Sequence, residues 1–543
     1  MYFDIDKGIE VNNQTQCLKG EEFDVYWEGF IFIKGELPGR QSVNLFLEKM
    51  KESDFYEAVS ILSGNFSCLI HFKEKNIWYG FTDGSRLGAL FYTKDAICSS
   101  FLEIASKKKL DYKSLNPYCV VEFILTGLQF TKKFLFEQIN IIDASEVLVI
   151  HPKLSITLEK LKKDRSPFDR EIQPDPEKSF FDIMKQIVAS IRPFKVSVDI
   201  TGGTDSRFTV GVLNYLGLKF ETAVCGNPKY SDVIIASKVA KLINNDSNFF
   251  HPVPHHVTPS SLWEELDSVV RATDGVCGAV GYQRLYQLAM DRKKRGIDLT
   301  IGSSGGELYK DGGWWRTAFA SRSNKDLLRR LASSGLVSWG IVGEIPCHIF
   351  QGHLREISKN YKESVHKDLT NNFLSKNENK YELADRIFYE YSVRAPRGFG
   401  CRIANSYAPH LDPELVAIGV RLSFLNRFRH QFYRKILSKI NPGIAKLSTN
   451  RGGMSEIAGV RGLVRDVLGM ARWKLSKDKG VPKENPQLYS SLRELTETKE
   501  ALASLKDFNI IAKDITLKDI NNAYLGRLIT LFKVLKIVAE QKV

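Results

Sequence analysis

Two fold classes follow one another along this chain. A β-rich α+β part covers residues 1–160, and an α/β part built on a doubly wound parallel sheet covers 178–460, with a helical C-terminal extension over 461–543. Three observations predict this. Short alternating apolar runs recur through the first part, separated by Gly and Asp turn signals. Strand and helix patterns alternate from 178 onward, as βαβ units and a parallel sheet require. A charged, Pro-containing stretch at 161–177 lies between them and reads as a linker.

In the first part the strand runs are Phe23–Trp27, Gly29–Lys34, Ser67–Phe72, Ile77–Phe81, Ala89–Tyr92 and Glu146–His151. Beyond the linker the pattern predicts helix 178–191, strand 195–200, helix 206–216, strand 220–225, helix 231–243 and a strand near 247–251. Phe208, Val212 and Leu216 recur every four residues and mark one helix face. Helices at 260–272 and 281–294 lead to a strand at Leu299–Ser303. The chain past 320 reads as mostly helical, with a polar loop at 475–488. An amphipathic helix near Leu525–Val538 reads as core packing.

At 543 residues the chain exceeds one compact core. Its 43% hydrophobic and 26% charged residues fit a globular protein and argue against disorder. The first residues carry acids early, unlike a signal peptide. No apolar run is long enough to span a bilayer, so no membrane partner is expected. The eight cysteines form no C-x-x-C pair, so reduced, mostly buried thiols and a cytoplasmic location are expected. The net charge of +14 suits an acidic partner and a plain Lys-rich surface equally. Basic residues are spread widely and no RRM, KH or zinc-finger pattern occurs, so nucleic acid is not expected. The His251–His256 segment reads as a loop rather than a metal site.

The chemistry concentrates in Val196-Ser-Val-Asp-Ile-Thr-Gly-Gly-Thr-Asp-Ser-Arg-Phe-Thr-Val210. An apolar strand ends in a Gly-Gly turn, hydroxyl residues and an Asp follow, and a helix begins. That layout aims backbone N–H groups, hydroxyls and a helix N-terminus at an anion such as pyrophosphate. Asp205 sits where it could hold the Mg2+ that travels with phosphates. Arg207 either contacts phosphate or faces solvent. The Walker-A pattern is absent, which argues against a phosphoryl-transfer loop. The bland alternative is an ordinary Gly-Gly turn between a strand and a helix.

Thr201-Gly202-Gly203-Thr204-Asp205-Ser206 resembles the S-G-G-x-D-S loop of the N-type ATP pyrophosphatases. Three further segments resemble the asparagine synthetase-like branch in matching order: Cys225 to Asp232, Ile301 to Tyr309 (the G-E-G-S-D-E-L-F loop), and Ala408 to Val416 (P-F-L-D and a helix). Arg434 to Arg451 resembles that family's late helix and cation-bearing loop. Residues 1–160 are similar to its class II glutamine amidotransferase domain, an Ntn-hydrolase-like fold, through Trp27–Ile33, Leu62–Phe66, Thr82–Gly88, Leu90–Tyr92 and Ile97–Ser100.

The resemblance implies ATP and Mg2+ as cofactors. It implies nucleotide-binding roles for Asp199, Ile200, Thr201, Gly202, Gly203, Thr204, Asp205 and Ser206, for Val224 and Cys225, and for Gly302 and Ser303. It implies catalytic roles for Asp205, Glu307 and Arg451 (or Lys446) and a metal on Asp205, and Glu307, one residue from the family's second ligand position, is expected to take over as the other metal ligand. The departures are as informative. An active glutaminase of this type uses an N-terminal Cys, and here Tyr2 stands at that position. The glutamine-binding R-H-R-G-P-D segment is missing, and Glu28 replaces the oxyanion-stabilising Asn. In the second half Ser303 and Gly306 stand where the family has a catalytic Glu and a metal-binding Asp.

The expected activity is that of an ATP-dependent amide-forming ligase without glutaminase function. It would adenylate a carboxylate, release pyrophosphate, and pass the acyl group to an amine with release of AMP. The expected partners are a small-molecule or peptide carboxylate, an amine donor, and proteins of the same biosynthetic gene cluster. Three alternatives stand beside it: an intramolecular peptide cyclase of the lasso or β-lactam type, a nucleotide-binding pseudoenzyme scaffold, and an RNA-modifying adenylating enzyme.

Overall fold

The alternation beyond residue 178 folds as one parallel sheet. Its order is Phe249–Phe250, Phe220–Ala223, Val196–Asp199, Leu299–Ile301, Asn405–Tyr407. The computed structural model describes residues 1–85, 87–130, 133–151, 155–160, 167–170, 174–226, 228–243, 249–250, 259–333, 345–374, 378–393, 403–449, 464, 468 and 486–540. From Val196–Asp199 the chain adds strands outward on one side. It then returns to add Leu299–Ile301 on the other. The order therefore reverses between those two strands, and the crevice outside their carboxyl ends is where open α/β sheets bind ligands.

The helices follow their local signals. Pro176–Ile191 begins on an Asp175 cap that accepts from the amides of Glu177 and Lys178, with Pro176 in the first turn. It buries Phe180, Met184, Ile187, Val188 and Ile191 along one stripe. The expected helices at 206–216 and 231–243 appear as Thr204–Tyr215 and Ser231–Leu242. The strand Asn405–Tyr407 lies within the region past 320 that reads as mostly helical. Three residues, two of them polar, carry no strand pattern. Pairing with Leu299–Ile301 and packing of the Tyr407 ring on Phe32, 5.3 Å away, make it a strand.

The first part contains two antiparallel sheets among its described residues. One runs Ser155–Lys160, Glu146–His151, Ile77–Thr82, Leu62–Phe72, Phe23–Ile33, Gln16–Lys19. The other runs Gly8–Glu10, Tyr2–Asp4, Ala96–Cys98, Phe91–Tyr92, Asn140–Ile141. The two runs expected at 23–27 and 29–34 are one strand, paired along its length with Leu62–Phe72. Gly29 interrupts the apolar alternation because the partner backbone is too close for a side chain. Its φ is +91°, and a Cβ there would lie 2.2 Å from the Asn65 carbonyl oxygen. Helices Arg40–Glu52 and Pro117–Thr126 also belong to this part.

The two parts share one apolar core, which extends from Tyr2 to Val538. Helix Asn522–Glu540 packs on Phe101–Lys107 and Pro117–Thr126 of the first part, and on Pro259–Ala272 and Ala279–Lys294 of the second. Its apolar stripe is core, as the sequence implies. The described piece of the 161–177 stretch is docked: the Phe168 ring packs on Tyr389, and Arg170 pairs with Glu414 at 3.5 Å. The polar loop expected at 475–488 falls largely outside the described residues, as does the His251–His256 segment. Among the described residues no helix is long and apolar enough to cross a membrane, and the seven cysteines are free thiols.

Asp274 ties the parts together most directly. From a left-handed backbone (φ 54°) its buried carboxylate accepts from Ser100 Oγ at 2.7 Å and from the amides of Phe101 and Leu102. It thereby caps helix Phe101–Lys107 from outside that helix's own part. Asp274→Ala should lower the unfolding free energy by about 2–4 kcal/mol, because it orphans charge-assisted hydrogen bonds. Urea unfolding of the full chain checks this.

Candidate functional site

The loop after Val196–Asp199 is a self-bonded knot. Thr201 N–H donates to Ser206 Oγ at 3.0 Å, and the two hydroxyls meet at 2.9 Å. Gly203 N–H donates to Thr201 Oγ1 at 3.1 Å. Gly202 N–H donates to Asp232 Oδ1 at 2.9 Å, so the 225–232 segment clamps the loop. The sequence points the whole run of loop amides at an anion, but the structure uses those of 201, 202 and 203 internally. Helix Thr204–Tyr215 starts at Gly203 with no side-chain cap, so the first helical amides are the ones left for an external anion.

Arg207 does neither of the things its sequence position suggests. It is fully buried, and donates from Nε to Gly203 O (3.1 Å), from Nη2 to Gly202 O (3.0 Å) and Ser448 O (3.2 Å), and from Nη1 to Leu447 O (2.7 Å). Burial pulls its guanidinium down to about 10, which leaves it charged at neutral pH. It therefore stitches the segment expected to carry the late cation onto the loop. Lys446 is exposed at the end of helix Pro442–Lys446, and Arg451 lies outside the described residues.

Asp205 faces the loop after Leu299–Ile301. Its Oδ2 accepts from Lys310 Nζ at 2.6 Å, and its Oδ1 is buried without a partner among the described residues. Gly306 lies against it: a Cβ there would sit 3.0 Å from both Asp205 Oδ1 and the Tyr433 hydroxyl. A side chain at 306 would have to push Asp205 or Tyr433 aside by a few tenths of an ångström. Glu307 is half-buried, and both it and Asp205 help burial push the Tyr433 hydroxyl far up. The two expected metal ligands are thus near one hydroxyl. Yet one oxygen of Asp205 is closed off and the other holds an ammonium. No group of three His, Cys, Asp or Glu able to hold a metal occurs among the described residues. In this arrangement Asp205 offers no free oxygen to a metal ion while Lys310 holds Oδ2.

The remaining expected positions divide by direction. Ile200 and Val224 bury their side chains, so only their backbones can face a nucleotide. Asp199 is half-exposed at the strand end and pairs with Arg292 at 2.6 Å. The Cys225 thiol contacts Arg284 O, and burial pushes it up, which keeps it protonated. A Cβ on Gly302 would meet nothing within 4 Å, so that position opens onto free space. Ser303 Oγ is buried with no partner among the described residues. Gly305 adopts φ +89° and needs glycine, since a Cβ would fall 2.8 Å from His410 O. Lys310, Asp232 and Arg292 are the site residues that sequence reasoning missed. Each is distant in sequence from its partner, and only the fold pairs them.

In the Ala408–Val416 segment, Asp412 caps helix Pro413–Arg421 and bonds the first part through Ser63 Oγ (2.8 Å) and Lys34 Nζ (3.3 Å). Burial pushes its carboxyl up, but Lys34 and these hydrogen bonds outweigh that and hold it below the usual range. In the first part, Glu28 accepts from the Met1 α-amine and from Thr15 Oγ1. It lines a cavity of ≈ 340 Å³ with Gln16, Ser67, Ser99 and Asn405. Cys98 lies opposite Tyr2 in the ladder, but burial and Glu103 raise its thiol well above the ordinary value, so it is no nucleophile.

No protein-family model and no curated protein matches the chain.

His410 lies under Asp205, with Nε2 3.1 Å from Thr209 Oγ1, and burial lowers it to about 4. The unfolded chain takes up a proton below about 6.5, and the folded one only near 4. Stability should therefore fall as pH drops through that window, by up to about 3 kcal/mol from this residue. Urea unfolding of wild type and His410→Gln between pH 7 and 4 checks it: the variant should lose that part of the slope.

Proposed function

We propose that this chain is an ATP-dependent, AMP-forming carbon–nitrogen ligase of the asparagine synthetase-like kind, with a first part that has lost glutaminase chemistry. The observation that carries the reading is the meeting of two polar loops, 200–205 and 302–306, at the carboxyl ends of Val196–Asp199 and Leu299–Ile301, where the strand order reverses. An uncapped helix start, a buried cation beneath it and open space at Gly302 suit a nucleotide triphosphate there.

In this reading a substrate carboxylate attacks the α-phosphorus of ATP. The bond to the bridging oxygen breaks and pyrophosphate leaves. An amine then attacks the acyl carbon, AMP leaves, and the amine loses a proton. The helix amides at 204–206 and the Lys310 ammonium stabilise the charge that builds on pyrophosphate. The carboxylate is a small molecule or a peptide, and the amine comes from outside the first part, where Glu28 and Tyr2 supply no nucleophile. A nucleotide-binding scaffold is the second reading, favoured by the lack of carboxylates at Ser303 and Gly306.

Equilibrium dialysis with α,β-methylene-ATP tests the site. The wild type should bind it, pyrophosphate should compete, and Ser206→Ala should weaken binding about 5- to 30-fold by unpairing the Thr201 amide. Absence of wild-type binding contradicts the reading. With ATP and a small-molecule extract of the host, release of AMP and pyrophosphate supports the ligase over the scaffold.

A further inference from the structure

We infer that Lys310 is the resident cation of the crevice, occupying on Asp205 the place a divalent ion would take and binding the polyphosphate directly. This rests on the nucleotide reading above. Three features of the site lead to it.

The pair is a short one. Lys310 Nζ lies 2.6 Å from Asp205 Oδ2, with side-chain exposures of 14% and 23%, so the charges are largely but not wholly withdrawn from solvent. A lysine ammonium has three donors. Asp205 takes one, and no other hydrogen bond of Nζ is made among the described residues, which leaves donors for an incoming anion.

The neighbourhood disfavours the alternative. A second carboxylate opposite Asp205 would have to project from residue 306. There a Cβ would already press on Asp205 Oδ1 and the Tyr433 hydroxyl, each at 3.0 Å. Tyr433 is itself fixed, donating to Gly306 O at 3.1 Å and stacked on Phe208. Gly306 and Lys310 therefore act as a matched pair of residues: the first withholds a carboxylate, and the second supplies a positive charge to the one that remains.

The position is also right. Lys310 directly follows the turn Gly306–Tyr309 that leaves strand Leu299–Ile301, and it reaches across to the first turn of helix Thr204–Tyr215. It thus spans the two loops at the reversal of strand order. A triphosphate lying on the helix amides would meet the ammonium beside it. Lys310 is a positioning and charge-neutralising residue for the leaving pyrophosphate, and the protein needs no metal ion of its own to supply that charge.

Affinity for α,β-methylene-ATP, measured in excess EDTA and again in saturating Mg2+, tests this. The wild type should bind in EDTA within about tenfold of its affinity in Mg2+. Lys310→Met should lose about 10- to 100-fold in EDTA and less in Mg2+, and Lys310→Arg should restore most of the loss. Circular dichroism and thermal unfolding of each variant report the fold separately. Equal or tighter binding by Lys310→Met in EDTA overturns the inference and makes the pair a plug. Loss of equal size with and without Mg2+ also overturns it, since a structural role acts alike in both. A wild type that binds no analogue in either condition overturns the nucleotide reading beneath it.

Discussion

Arg207 buries a charged guanidinium beneath the 200–204 loop and bonds four backbone carbonyls, two in the loop and two at 447–448. Taking a guanidinium out of water costs several kcal/mol, and hydrogen bonds to carbonyl dipoles recover that only when their geometry is good. The gain is architectural. The side chain draws two carbonyls of the Gly-Gly turn and two of a late segment to one point. With them held from below, the turn keeps its shape and the start of helix Thr204–Tyr215 faces the crevice. The same side chain carries a late segment of the chain to within reach of the loop. A positive charge is left beneath the start of that helix, beyond the reach of solvent screening.

The charge balance of the crevice follows from packing. Asp205 is inward enough to need a partner, and Gly306 and Tyr433 close one side of it. Lys310 answers on the other side. His410, buried beneath the same carboxylate, feels Asp205 raising it and Lys310 lowering it, and burial decides in favour of the neutral ring. Around Asp205 the described residues thus gather one buried neutral imidazole, one ion pair and one buried guanidinium. The two parts of the chain steady this arrangement through Asp412, whose carboxylate caps a helix of the second part while bonding Ser63 and Lys34 of the first.

The mixed α/β character and the parallel sheet were legible in the sequence, and the failures have physical causes. The parallel sheet could be read because Val196–Asp199, Phe220–Ala223 and Leu299–Ile301 each precede an unambiguous helix or turn. Asn405–Tyr407 could not, since its strand character comes wholly from neighbours. The strand Phe23–Ile33 read as two runs because Gly29 interrupts the apolar alternation, and that glycine answers a close partner backbone that the sequence does not show. The loop at 200–205 reads as a run of free amides, but the Gly202 amide is taken by Asp232, thirty residues away. Arg207 was misjudged because a charged residue on a helix near a turn suggests solvent or ligand, and only the 447–448 carbonyls make burial tolerable. Lys310 carried no signal of its own, because its meaning lies in what Gly306 lacks.

The central claim is that a nucleotide's phosphates rest on the start of helix Thr204–Tyr215, between the 200–205 and 302–306 loops. A crystal structure of the full chain with α,β-methylene-ATP tests it most directly. The account predicts the triphosphate within hydrogen-bond distance of the 204–206 amides and of Lys310 Nζ, with the Arg207 bonds intact. A nucleotide bound elsewhere on the molecule, or one whose phosphates avoid that helix, would contradict it.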